Sequence, residues 1–148
     1  MIEAWKQVKL MVGLLVGVII LVFSVIGVMA TWNDYVAKDY DTHLTETVYI
    51  DAAVNQNVNL VFYKLGCPYC QAGKKAVTST AEDSPYPTFY INVETSEGQE
   101  LVKQYHVEKA ATIIQIRYGV AKEFSYAGKN QAGAIEVRML QIEEALNE

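Results

Sequence analysis

The chain has 148 residues, 51% of them apolar, with 17 acidic against 12 basic side chains and a net charge of −5. That length holds one domain of ordinary size and excludes two. The acidic balance and scattered basic residues leave no cationic footprint, which excludes a nucleic-acid role.

Residues 10–30 form a run of 21 without a charge. As a helix rising about 1.5 Å per residue it reaches roughly 31 Å, the thickness of a bilayer's hydrocarbon core. This predicts a transmembrane helix. A cleaved signal peptide is the rival reading, since Val28-Met29-Ala30 offers a peptidase a small-residue pattern. The apolar core of a signal peptide runs only about 7–15 residues, so length favours a retained anchor. Trp5 before the span, and Trp32 with Tyr35 after it, suit the two interfacial aromatic belts. Lys6 and Lys9 precede the span, whereas Asp34, Asp39 and Asp41 follow it. By the positive-inside rule residues 1–9 are cytoplasmic and residues 31–148 lie outside. Gly13 and Gly17 make one GxxxG spacing, a weak signal for a homodimer whose plainer reading is ordinary helix glycine.

Residues 31–45 are polar and aromatic and read as a tether. Residues 46–51 are a short β-rich run, followed by a brief helix or turn through Asn57, and the nearly all-apolar 58–63 predicts a strand buried on both faces. From Pro68, which fits a first-turn position, to about Ala81 the residues favour a helix. Ser84-Pro85-Tyr86-Pro87 is a turn, and 88–93 a further strand. Ser96 with Gln99 resembles a capping box opening a helix over 97–105. Residues 112–118 are a strong strand, Gly119 turns the chain into a hairpin partner at 122–126, and 127–130 break it again. A last helix over 131–146 puts Ile135, Met139, Ile142 and Leu146 at helical spacing. This order predicts an α/β domain with parallel strands, right-handed crossovers and a late antiparallel edge.

The only two cysteines, Cys67 and Cys70, stand two residues apart at the predicted junction of strand and helix. That CxxC pattern points to thiol–disulfide exchange. Cys67, at a helix amino terminus, is placed to be the nucleophile, because unpaired N–H groups and the helix dipole favour a thiolate there. Lys64 adds positive charge, Pro68 fixes the first turn and Tyr69 offers an apolar rim to a substrate. Cys70, one turn on, is the resolving thiol. Outside the membrane such a pair can make, break or rearrange other proteins' disulfides. A static disulfide would close too small a loop to stabilise much, and two ligands leave a metal site incomplete, so no metal and no cofactor are assigned. His43 and His106 read as structural or solvated, and Lys74-Lys75 as a solvated helix face. Tyr35, Tyr40 and Tyr49 are explained by a membrane-proximal or partner surface, or equally by strand and tether packing.

With this order beside the CxxC, residues 46–147 resemble a thioredoxin-fold thiol–disulfide oxidoreductase. Tyr105-His106-Val107-Glu108 and the 112–119 segment fall at corresponding landmarks, and Cys67-Pro68-Tyr69-Cys70 is similar to a glutaredoxin active site. The closest description is a membrane-anchored, outward-facing member similar to those of bacterial secretion, bacteriocin or conjugation systems. The resemblance implies exported protein substrates with thiols or disulfides, a membrane redox partner, and a substrate groove at Ala110, Ala111 and Thr112. It also exposes two departures. Ala111 stands where the family carries a cis-proline; a cis bond before a non-proline residue costs about 2.5–4 kcal/mol, so a trans bond is expected. Val61 stands where many thioredoxins bury an acid, which would leave deprotonation of Cys70 to Lys64, Lys74, Glu94 or water. A redox-inactive thioredoxin-like subunit or chaperone of an envelope complex is the alternative.

Overall fold

The computed structural model describes residues 2–35, Tyr40, 44–51 and 57–148, in two compact units, Met1–Ala37 and Lys38–Glu148. His43, Asp39, Asp41 and the turn expected through 52–56 lie outside the described residues, as do the side chains of Trp32, Asp34 and Tyr35.

The first unit is one helix, α1 (Ile2–Tyr35), containing the predicted span. Its stretch Glu3–Ala30 is long and apolar enough to cross a membrane. The helix continues beyond residue 30, so the start of the expected tether is helical.

The second unit is built on a four-stranded sheet of β1 (Val58–Tyr63), β2 (Thr88–Asn92), β3 (Thr112–Arg117) and β4 (Val120–Ser125), in the order β2-β1-β3-β4. Around it lie α2 (Glu46–Asp51), α3 (Pro68–Glu82), α4 (Ser96–Gln104) and α5 (Met139–Asn147), and a separate hairpin of β5 (Ala127–Lys129) with β6 (Ile135–Val137). β1 is buried along its whole length, as its apolar run predicts. Its two faces feed two apolar clusters. Val61, Tyr63, Cys70, Val77, Tyr126, Ile142 and Leu146 share one, while Leu60, Phe62, Ile91, Leu101 and Ile114 share the other.

β1 and β2 pair in parallel, with α3 crossing between them. The expectation of further parallel pairing fails at β3, which runs antiparallel to β1. β3 begins opposite Phe62, at the end of the sheet where β2 stops opposite Tyr63. The α4 connection therefore does not travel the length of the sheet that a parallel return requires. His106, at φ 56, closes α4 in the left-handed conformation, with Val107 N–H on the Val102 carbonyl at 3.0 Å. As a result the exit of β1 and the entry of β3 meet at one end.

Four other expectations are corrected. Residues 46–51 form α2, not a strand. The Glu46 carboxylate accepts Asn92 N–H at 3.2 Å and the Thr95 hydroxyl at 2.8 Å, and Tyr49 bonds Tyr105 through their hydroxyls at 2.8 Å. Such contacts override the weak strand preference of six residues. The cap of α4 is Thr95, whose side chain accepts Gly98 N–H at 3.0 Å, while Gln99 turns back to the Val93 carbonyl. Val120 and Ala121 belong to β4, because the turn consists of Tyr118 and Gly119, both at positive φ. Finally, residues 127–137 are the β5–β6 hairpin. Asn130 Oδ1 accepts the N–H groups of Ala132 and Ala134 at 3.0 and 2.9 Å, and Gly133 adopts φ 80. α5 thus starts at Met139; Ile142 and Leu146 are fully buried as predicted, but Ile135 and Met139 are 45% and 44% exposed.

For Tyr40 the packing reading holds. It is fully buried in the domain core, its ring 4.9 Å from those of both Tyr63 and Tyr90.

Candidate active site

The dithiol sits where β1 gives way to α3. Gly66, at φ 66, makes the turn, and Cys67 N–H closes it on the Lys64 carbonyl at 3.2 Å. Cys67 is the N-cap of α3, with extended backbone, and Pro68 follows in the first turn as the sequence predicts. The Cys67 sulfur accepts Cys70 N–H at 3.3 Å and the Cys70 thiol at 2.7 Å. Both are free cysteines, Cys67 partly exposed and Cys70 fully buried. Burial above all, then the bond to Cys67, pushes the Cys70 thiol up to about 12. The two sulfurs are thus in contact but unequal: one is open to approach, and the other is sealed and protonated.

Cys67 opens onto a cleft of about 630 Å³, where Tyr69, Ala110 and Thr112 also line the wall. Its charged rim holds Glu108, Lys109, Glu123, Lys129 and Arg138. A cleft of similar size between α3 and α5, lined by Thr80, Asp83 and Glu143, contains neither sulfur.

Ala111, Lys64 and Lys74 make the following contacts in the fold. Ala111 does not present its side chain to the cleft; it is 1% exposed and packs in the Cys70 cluster. Its peptide bond is trans and its φ is 65, because its N–H bonds the Phe62 carbonyl at 3.1 Å while its own carbonyl accepts Tyr126 N–H at 3.0 Å. Lys64 turns to Glu94 at 3.4 Å, and Glu94 also accepts Leu65 N–H at 3.2 Å, so these two charges brace the turn. Lys74 holds its ammonium 5.9 Å from the centre of the Tyr40 ring. Val61, at the position of the missing acid, is fully buried.

The Cys70 thiol contacts Cys67, and Tyr126 shares its buried cluster; the Lys64 backbone and the Tyr126 hydroxyl act against the upward shift of the thiol. Tyr126 is fully buried, and its hydroxyl donates to the Phe62 carbonyl at 3.3 Å. Its ring lies on Gly73 of α3, where a Cβ would stand 2.6 Å from Tyr126 Cδ2. Tyr40 in turn donates to the Cys70 carbonyl at 3.4 Å. Neither tyrosine was singled out for the site by the sequence. Tyr126 falls at the end of a hairpin strand and Tyr40 in an apparent tether, and only long-range folding brings them under the dithiol.

No protein-family profile matches the chain, and no curated protein is significantly similar to it. Among solved structures it is similar to Trxlp from Edwardsiella tarda EIB202, at 18% identity and a TM-score of 0.50, over 69% of this chain and 93% of that one. A thioredoxin from Thermus thermophilus aligns at 26% identity and a TM-score of 0.39, over 54% of this chain and 70% of that one. The fold of the second unit is thioredoxin-like, a mixed sheet flanked by helices, in a chain whose long apolar helix precedes it.

Proposed function

We propose that the protein is a membrane-tethered, extracytoplasmic thiol–disulfide oxidoreductase, acting on disulfides of exported or envelope proteins through Cys67 and Cys70. The observation that carries this reading is the unequal pair at the start of α3: a partly exposed Cys67 in a cleft, 2.7 Å from a buried, protonated Cys70. Cys67, as the thiolate, attacks a substrate disulfide, forming a mixed disulfide and releasing one substrate sulfur. Cys70 then attacks Cys67, the bond to the substrate breaks, and its second sulfur leaves reduced. The substrate gains two electrons and the protein ends as the Cys67–Cys70 disulfide; the reverse sequence oxidises a substrate dithiol. Pro68 sets the first turn, and Tyr69, Ala110 and Thr112 form the wall against which a substrate segment lies. A membrane redox partner resets the pair, and residues 10–30 anchor the chain with its amino terminus cytoplasmic. Gly13 and Gly17 offer a contact for a second copy within the membrane.

Reduction of insulin, or oxidation of a reduced unfolded protein, is abolished by Cys67→Ser, and Cys70→Ala accumulates mixed disulfides with substrates. Full turnover by Cys67→Ser overturns the reading. A membrane-impermeant thiol reagent labels Cys67 in intact cells if the domain lies outside. Val61 and Ala111 favour a second reading, a non-catalytic subunit of an envelope complex. It requires that Cys67→Ser/Cys70→Ser keep biological function while deletion of residues 1–31 removes it.

A further inference from the structure

Once Cys67 is held in a mixed disulfide, progress depends on Cys70, whose thiol is fully buried. A thiolate sealed from water loses its hydration, so burial holds the proton on that sulfur. A carboxylate could offset this, but Val61 fills that place in β1 and Glu94 is paired with Lys64. Tyr126 lies in the same buried cluster as Cys70, its ring against Gly73 three residues further along α3, and its hydroxyl and the Lys64 backbone are the neutral groups that work against burial there.

The Tyr126 hydroxyl is held from several sides. Its ring rests on Gly73, and its backbone bonds Ala111 and Arg138, each at 3.0 Å. The hydroxyl donates to the Phe62 carbonyl, which also accepts Ala111 N–H at 3.1 Å. It can therefore turn from Phe62 to the sulfur without leaving that carbonyl unpaired. Burial also raises Tyr126 and Tyr40 well above the ordinary tyrosine range, so both keep their protons. The other titratable groups around Cys70 are Cys67 at the start of α3, with Tyr63 of β1 and Tyr90 of β2 further off in the same cluster and Lys74 beyond Tyr40.

We infer that Tyr126 is a catalytic residue whose hydroxyl donates a hydrogen bond to the Cys70 sulfur as that sulfur ionises to attack Cys67, taking the place of a buried carboxylate. The inference rests on the exchange reading above. In the step it assists, the Cys67–substrate S–S bond breaks and the Cys67–Cys70 bond forms. The departing substrate sulfur takes the electron pair, and the proton lost by Cys70 goes to that sulfur or to water.

The test uses the full chain in detergent and the chromogenic disulfide dithiobis-nitrobenzoate. Attack by Cys67 releases a first thionitrobenzoate, and attack by Cys70 releases a second. In Tyr126→Phe the first phase stays within about twofold of wild type, while the second slows roughly ten- to a hundredfold, the worth of one hydrogen bond to a charged group. Its pH midpoint also moves upward. Fluorotyrosine placed at position 126, a stronger donor, speeds the second phase. An unchanged second phase in Tyr126→Phe, or equal slowing of both phases, overturns the inference. Should Tyr126→Phe not fold, an unchanged second phase with fluorotyrosine does so. A wild-type chain without a first phase overturns the exchange reading itself, and this inference with it.

Discussion

Tyr126 donates its backbone N–H to the carbonyl oxygen of Ala111 across 3.0 Å, linking the residue beneath Cys70 to the loop that borders the cleft. Ala111 holds this place at φ 65, with its own N–H on Phe62. The backbone position that a proline would occupy is here a two-sided hydrogen-bonded clip.

Placing a proline at position 111 is therefore expected to harm the protein. Proline fixes φ near −65° and has no N–H, so Ala111→Pro conflicts with the observed φ and loses the bond to Phe62. We expect a loss of more than about 1 kcal/mol, seen as a lower midpoint of urea denaturation. Ala111→Gly relieves the left-handed strain and loses one buried methyl, terms of about 1 kcal/mol each and opposite sign, so its midpoint stays near wild type.

Stability should fall in alkali in two stages. Cys70 ionises at its ordinary 9.0 when unfolded and at about 12 when folded, so between these values the unfolded state binds fewer protons. The stabilisation is complete below pH 9 and is lost as pH rises toward 12, by at most about 1.4 kcal/mol per pH unit. Tyr90, raised to about 12, and the more deeply shifted Tyr40 and Tyr126 steepen the loss above their ordinary 10.0. Denaturation midpoints measured from pH 8 to 11 should bend first near 9. In Cys70→Ala that first bend disappears while the second remains.

Gly73→Ala tests the packing of Tyr126. The new Cβ would meet Cδ2 at 2.6 Å, so the ring must shift. Overpacking of this kind costs about 1–3 kcal/mol, although alanine recovers roughly 1 kcal/mol of helix propensity. A net loss in thermal stability, with slower release of the second thionitrobenzoate, is the expected outcome.

The domain's beginning can be tested by truncation. A fragment of residues 38–148 keeps Tyr40 and should fold and retain dithiol chemistry. One of residues 46–148 removes a fully buried aromatic, a loss of about 3–5 kcal/mol by comparison with large core truncations. Circular dichroism melts of the two fragments distinguish these outcomes.

The parts of this fold visible in the sequence are those where one strong local pattern agrees with its surroundings. The apolar run of β1, Pro68 after Cys67, and Ile142 with Leu146 in the last helix are of that kind. Residues 46–51 and 127–137 depart from their local pattern because the deciding interactions are the Glu46 carboxylate on the Asn92 and Thr95 groups and the Asn130 side chain on its own turn. The spacing of Cys67 and Cys70 places a pair of thiols at the junction of strand and helix, which is where the fold holds them. Tyr126 and Tyr40 are not legible in this way, since residues 56 and 30 positions from Cys70 join its cluster only through the folded core.

The 2.7 Å between the sulfurs also bears on oxidative damage. A peroxide reaching the partly exposed Cys67 would convert it to a sulfenic acid, the branch point between repairable and permanent oxidation. At that distance the Cys70 thiol is already in contact, and condensation to the disulfide, with loss of water, precedes a second oxidant. The buried Cys70 beside it thus spares Cys67 the irreversible sulfinic and sulfonic states.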